Sequence, residues 1–448
     1  MAPGSAPLDG RSAWRGHALD LLERTDPAGH AIHLVAAVVA LLAAPLGTAP
    51  GNIAFVVLLA VWCLRLPRMG AALAGLGTWP PLILGALFVA WCGVTLLWSP
   101  RPDQGAHLLL SMRALALPCL LWPVIRSWRV LAAALLLGAS VQAGVQVGQF
   151  LVNRMAWNYD GLARFGGFSA DPGKAGLWDG IAACLAAGLA VSLKGRARWL
   201  ALAVVVLAGG GLAASVTRRH LLAALAAAPV FIAAAAWWHP RLRKPLAVGG
   251  LTALAGGALL LTLTWGSLAT RLSQTREQLT SLAEKGGVLH HDLRFYYWRA
   301  ALHAWWQDPV TGYGLGGTRP ATAGYPERER FESLLQDSPI PITPEMWAPD
   351  HPHSTWVQVL AETGLVGLGL AAAAVAAVLR TTAARARVSP LQCGTLAAMI
   401  FWCVAALFDS SMNASTLTAI SVLAALGALP PADDARDPRS TLLWGFNR

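Results

Sequence analysis

The sequence predicts an all-α, polytopic membrane protein of about twelve transmembrane helices carrying one large, partly helical external loop. Three observations predict it. The chain of 448 residues is 56% hydrophobic and only 13% charged, with a mean hydropathy of +0.52, a balance that soluble domains rarely reach. Apolar segments of about 20 residues, the length needed to cross the hydrocarbon core as a helix, recur along most of the chain. Lysines and arginines concentrate in alternate connections, as short cytoplasmic loops require. No alternating pattern of about ten residues marks a transmembrane barrel strand.

Residues 1–30 read as a polar cytoplasmic tail, retained because no small-residue cleavage site accompanies it. Nine spans follow within 31–267, at about 31–47, 52–65, 81–98, 107–125, 130–152, 175–193, 198–216, 220–238 and 246–267. Three more lie within 354–430, at about 354–379, 390–408 and 413–430, before a second cytoplasmic tail, 431–448. The spans are rich in Ala, Leu and Gly, which lets helices approach closely in lipid. With the N-terminus inside, the inner connections carry Arg65 and Arg68, Arg126 and Arg129, Lys194 to Arg198, Arg241 to Lys244, and Arg380 to Arg387. The formal charge of +11 therefore serves topology in the lipid bilayer, and no nucleic-acid partner is implied. All six cysteines fall within spans, which implies neither a disulfide nor a thiolate metal site.

The long connection, 268–353, lies outside on this topology. Its stretches "RLSQTREQLTSLAEK" and "HDLRFYYWRAALHAWWQ" have helical spacing, "DPVTGYGLGGTRP" is turn-rich, and "DSPIPITPEMWAPDHPH" leads back to the membrane. A shorter outer turn is more informative. In "AASVTRRHLLAAL", Arg218, Arg219 and His220 occupy the side that positive charge avoids. Two adjacent arginines there indicate an anion partner, the alternative being side chains that snorkel to the interface. In "RFGGFSADPGKAGLW", glycines and a proline surround Arg164, Asp171 and Lys174 at the start of a helix, either an anion-accepting turn or an ordinary interfacial one. Arg294 and Arg299 are five residues apart and so do not share a helical face. The aromatics beside them either stack on sugar rings or form an interfacial belt.

The stretch "HSTWVQVLAETGLVG", His353 to Gly367, resembles the signature of the O-antigen ligase and O-antigen polymerase superfamily, with His353, Ser354, Leu360, Glu362, Gly364 and Gly367 at the matching positions. "SVTRR" is similar to the family's arginine turn and places Arg218 at the arginine. "RFYYWRAALHAWWQDPVTGYGLG" is similar to a third element, matched at Arg294, Trp298, Pro309, Gly312 and Gly314. The Arg164 turn is similar to a further one. Arg219 stands where the family usually has a small residue, and Ser354 where Asn is frequent.

The resemblance, from about residue 155 to 410, implies a glycosyltransferase of the class-C-like membrane fold at a bacterial inner membrane, with its active site on the periplasmic side. A single large loop is ligase-like, whereas polymerases tend to have two. An O-antigen ligase moves a completed polysaccharide from undecaprenyl diphosphate to lipid A–core; protein O-oligosaccharyltransferases share the signature.

That chemistry needs leaving-group charge neutralised and an acceptor hydroxyl activated. Guanidinium groups suit the first need, assigned to Arg218 and Arg294, with Arg164, Arg219, Arg299 and Lys174 as substrate-binding helpers. A histidine with an ordinary pKa of about 6.5 suits the second, assigned to His353. Glu362 lies nine residues on, on the opposite face of a regular helix, and is expected to pair helices rather than to orient His353. "DHPH" and "HHD" (His290, His291, Asp292) contain metal-ligand types, but the arginines offer a metal-free route, so no cofactor is expected. The alternative from another class is a secondary transporter of an organic anion, favoured mainly by Arg113 inside the fourth span.

Overall fold

The computed structural model describes residues 10–152, 157–159, 162–169, 171–247, 273, 293–329, 349–409, 412 and 414–428. Among them the α-helices are α1 (Gly10–Thr25), α2 (Pro27–Ala43), α3 (Thr48–Arg65), α4 (Gly70–Leu76), α5 (Pro80–Thr95), α6 (Pro102–Ser111), α7 (Leu117–Leu121), α8 (Trp128–Leu151), α9 (Pro172–Ser192), α10 (Gly195–Ala214), α11 (Arg218–Trp238), α12 (Leu293–Gln307), α13 (Thr318–Ala323), α14 (Thr355–Ala386), α15 (Pro390–Leu407) and α16 (Ala414–Gly427). Eight helical stretches of the described residues are long and apolar enough to cross a membrane, and α5 and α16 are shorter apolar helices. The chain is thus an all-α polytopic membrane protein, apart from one small antiparallel hairpin, β1 (Trp157–Tyr159) with β2 (Leu162–Arg164).

The expected fourth and fifth spans fall in one helical stretch, Pro102–Leu151. Short 3-10 segments, Met112–Ala116 and Trp122–Ser127, separate its α-helical parts. Pro118 and Pro123 are the second residues of the short α7 and of the second 3-10 segment, each lacking the N–H that would continue the ladder behind it. The second span is longer than the 14 or so residues its apolar core suggested, because Thr48–Arg68 runs for 21 residues. Of the ninth expected span and the long loop, only 246–247, Ser273, 293–329 and 349–353 are described.

Helices α9 and α15 are the most enclosed of the candidate spans and pack through small residues. A Cβ on Gly188 would lie 2.7 Å from the Leu391 carbonyl oxygen and 3.0 Å from the Gly394 Cα, so only glycines permit this approach. At one end of the bundle, Arg65 Nε donates to Asp26 Oδ2 at 2.9 Å and Arg65 NH1 lies 2.9 Å from His33 Nδ1. At the opposite end, where α2 turns into α3, Gly47 approaches the carbonyl of Phe168 in the connection that leads into α9.

Helix α14 is not regular. Gly364 has φ 68° and ψ −169°, and its break frees backbone groups that the 309–314 turn takes up. Leu365 N donates to Pro309 O at 3.0 Å and Val366 N to Val310 O at 3.3 Å, while Ala361 O and Glu362 O accept from Tyr313 N and Gly314 N at 3.1 and 3.0 Å. Two sequence motifs far apart in the chain are therefore one interlocked backbone unit, joined by these four hydrogen bonds across the break. The Glu362 carboxylate accepts from Thr318 Oγ1 at 2.6 Å and from Gln358 Nε2 at 3.4 Å. The carboxylate thus joins two helices, as expected, its partner Thr318 being the first residue of the short α13 rather than part of a second span.

Candidate active site

The connection between α10 and α11 and the approach to α14 share a backbone peculiarity. Val216, with φ 47°, and His353, with φ 54°, are the non-glycine residues of the described chain in the left-handed region. A β-branched residue there is strained, and such strain collects where side chains must be aimed for function. Val216 turns the chain into the N-terminus of α11 and its arginines; His353 immediately precedes Ser354, whose hydroxyl accepts from Val357 N at 3.4 Å and caps α14.

His353 lies flat on Tyr297 of α12, ring centroids 5.5 Å apart at 23°, and takes the edge of His351 at 4.5 Å and 81°. Burial pushes its imidazole down to about 3, reinforced by the positive fields of His351, Arg294 and Arg219. His353 is thus held neutral, within the electrostatic reach of two guanidinium groups. Burial also lowers His351, partly offset by the Asp409 carboxylate.

Arg219 is held from two sides. Its NH2 pairs with Asp409 Oδ2 at 2.8 Å and its Nε donates to His220 Nε2 at 3.4 Å. A side chain at Gly173, in the turn that opens α9, would overlap the Arg219 guanidinium, so the glycine of "DPGKAG" makes room for it. Asp409, just past the end of α15, is anchored by its carbonyl, which accepts from Thr355 N at 2.8 Å and from Thr355 Oγ1 at 2.9 Å. Burial raises its carboxyl, opposed by Arg219. The start of α11, the end of α15 and the start of α14 are therefore tied through one residue, Asp409, by its carboxylate and its carbonyl.

Among the expected site residues, His353, Arg219 and Arg294 come together, since both arginines act electrostatically on the imidazole. Arg218 starts the same helix one position earlier, about 100° round its axis from Arg219. Asp171 caps α9, accepting from Gly173 N at 2.8 Å, and its carboxylate faces Lys174 Nζ at 3.9 Å. Its charge reaches both Arg219 and Asp409, which puts the α9 turn at the edge of the cluster. Arg299 points elsewhere, in an ion pair of 2.9 Å with Glu327, as the five-residue offset from Arg294 implies. Arg164 ends β2 opposite Trp157, and its side chain lies outside the described residues.

His290, His291 and Asp292 also lie outside the described residues. The acid of "DHPH" is occupied, because Asp350 Oδ1 meets Arg319 Nε at 3.1 Å and Arg101 NH1 at 3.3 Å. Among the described residues no three His, Cys, Asp or Glu side chains converge in a way that would hold a metal ion.

Two participants were not read from the sequence. Asp409 is a lone acid after an apolar helix, a pattern that any interfacial helix end shows. Tyr297 stood among aromatics that an interfacial belt explains equally well.

The cluster joins guanidinium groups able to hold an anion to a neutral imidazole able to take a proton. No curated protein matches the chain. The model of the family described as O-antigen ligase matches residues 203–372, from within α10 to beyond the kink in α14, so that Arg219, Arg294, the 309–314 turn and His353 all fall inside it. Members of that family are membrane glycosyltransferase-like enzymes, ligases or polymerases. Over these residues, less than half of its length, the chain is similar to the O-antigen ligase family.

Proposed function

We propose that the protein is an O-antigen ligase, an inverting and metal-independent glycosyltransferase that moves a polysaccharide from undecaprenyl diphosphate to lipid A–core on the periplasmic face of a bacterial inner membrane. One observation carries the reading: His353, stacked on Tyr297, lies within electrostatic reach of Arg219 and Arg294 at the end of the bundle opposite the basic residues around Arg65. Positive residues mark the cytoplasmic end of such a bundle, which leaves the His353 end outside.

In this mechanism Arg219 and Arg294 bind the diphosphate, and Asp409 holds Arg219 in position. The role first given to Arg218 passes to Arg219, whose neighbours are the site's own acid and imidazole. The acceptor hydroxyl attacks the anomeric carbon from the face opposite the diphosphate. A new C–O bond forms, the bond to the diphosphate oxygen breaks, and undecaprenyl diphosphate leaves with the bonding pair, its charge met by the guanidinium groups. The hydroxyl proton passes to an imidazole nitrogen of His353. Arrival of the dianionic donor raises the histidine's proton affinity as the step requires.

The test is transfer by the purified protein from a lipid-diphosphate-linked glycan to lipid A–core, in the presence of EDTA. Continued transfer with inversion at the new linkage is expected. Retention of configuration, full loss with EDTA restored by a divalent metal, or use of a glycan or protein acceptor in place of lipid A–core would each overturn the corresponding part.

A further inference from the structure

Arg65 pairs with Asp26, Arg126 with Asp20 and Arg219 with Asp409. Arg113 has no carboxylate partner among the described residues: its NH1 donates to the Leu110 carbonyl and its NH2 to Asn52 Oδ1, both at 2.9 Å, and its guanidinium lies 5.8 Å from the centre of the Phe55 ring. It stands in the 3-10 segment that interrupts the Pro102–Leu151 stretch, a break that turns this side chain towards α3. A guanidinium without a counter-ion at membrane depth faces a cavity or a ligand.

Here it faces a cleft. Arg113 lines a small open-mouthed cleft between α2, α3, the 3-10 turn and α16, with Asn52, Phe55, Ser415 and Thr418 on its walls. Ser415 Oγ accepts from Trp178 Nε1 at 3.2 Å, so its own proton is available to donate. Beside the cleft, Ile53, Val56 and Leu110 are 67%, 59% and 61% exposed, an apolar surface suited to lipid chains. The cleft also neighbours the active site. Gly47 on its rim approaches the Phe168 carbonyl, and Trp178, which bonds its Ser415 wall, belongs to the helix capped by Asp171.

We propose that this cleft binds the phosphate monoester of a phosphorylated membrane lipid, with Arg113 as the anion contact and the α3 face as the seat of its chains. Phosphate is the headgroup anion whose geometry a guanidinium matches with paired hydrogen bonds. Resting on the glycan-transfer reading above, that lipid is the acceptor, because the donor diphosphate is met by Arg219 and Arg294.

Native mass spectrometry of the full-length protein in detergent tests the binding, with dioleoyl phosphatidic acid, dioleoyl phosphatidylcholine and inorganic phosphate as separate probes. The wild type is expected to retain phosphatidic acid at least about tenfold more tightly than phosphatidylcholine, the gain of one well-formed ionic contact. Arg113→Gln should remove that preference. Asn52→Asp should remove it too while keeping the Arg113 hydrogen bond, since it places a counter-ion beside the guanidinium; this arm stands if Arg113→Gln does not fold. Undiminished phosphatidic acid binding by Asn52→Asp, or inorganic phosphate bound as tightly as the lipid, would overturn the proposal. In the transfer assay, Asn52→Asp should raise KM for lipid A–core about tenfold with the donor KM unchanged. Absence of transfer by the wild type would sink the glycan-transfer reading and leave the lipid-binding result intact; active transfer with no lipid preference would do the reverse.

Discussion

Asp409 binds Arg219 through its carboxylate at 2.8 Å and the N-terminus of α14 through its carbonyl, also at 2.8 Å. One residue thus couples the cation that would meet the donor to the helix that begins beside His353. Asp409→Asn keeps the backbone anchor but removes the charge that fixes the guanidinium. Transfer should fall by up to about 100-fold, the penalty of a misplaced catalytic group. The loss should appear mainly in kcat/KM for the donor, with the protein still inserted and folded. An unchanged donor kcat/KM would show that Arg219 needs no such partner.

The histidine sets the pH behaviour. In the empty site its pKa lies near 3, below the ordinary 6.5, so the unfolded chain binds the extra proton first. Stability attributable to His353 is therefore fully present above about pH 6.5 and is lost as pH falls from there towards 3. His353→Gln should flatten this part of the stability profile measured by thermal unfolding. Catalysis should show the complementary shift, because bound diphosphate raises the histidine's pKa. The acid limb of kcat is expected at higher pH than that of kcat/KM, which reports the free enzyme. A kcat/KM limb at pH 6.5 that His353→Gln abolishes would contradict the position of the imidazole among positive groups.

The legible part of the fold was the part written in hydropathy. Most described spans lie where apolar length placed them, because burial in lipid demands long uncharged runs whatever the tertiary packing. The 3-10 interruptions around Arg113 and Pro123 were not read, since hydropathy does not register how a helix is hydrogen-bonded. Nor was the kink at Gly364: counting 100° per residue from His353 to Glu362 assumes a regular helix, and His353 itself precedes the helix with φ 54°. The motifs indicated His353, Arg294 and the arginine pair. The ion pair that marks Arg219 has its acid, Asp409, 190 residues further along the chain, where it carries no local mark.

The interlock of the two glycine motifs makes a stability prediction. A Cβ on Gly364 would overlap the Val310 carbonyl oxygen, and φ 68° is costly for any L side chain. Gly364→Ala should destabilise the protein by at least about 1–3 kcal/mol. An unchanged melting temperature in detergent would mean that the 309–314 turn does not dock on α14.

Glu362 and Thr318 should act as a unit. The carboxylate is fully buried and its 2.6 Å bond to Thr318 Oγ1 crosses from span to loop. Glu362→Ala and Thr318→Val should each cost about 1–3 kcal/mol. A double-mutant cycle should show that the two losses are not additive, with a coupling of about 1 kcal/mol. Strict additivity would separate the two residues.

The most direct measurement of the central claim is the initial rate of glycan transfer from lipid diphosphate to lipid A–core by purified wild type, His353→Ala, Arg219→Ala, Arg294→Ala and Arg218→Ala proteins, each shown to be folded. Losses of at least about 100-fold are predicted for the first three variants, in line with removal of a general base or of a cation that meets developing charge. Arg218→Ala is predicted to lose much less. A His353→Ala protein that transfers at the wild-type rate would contradict the account.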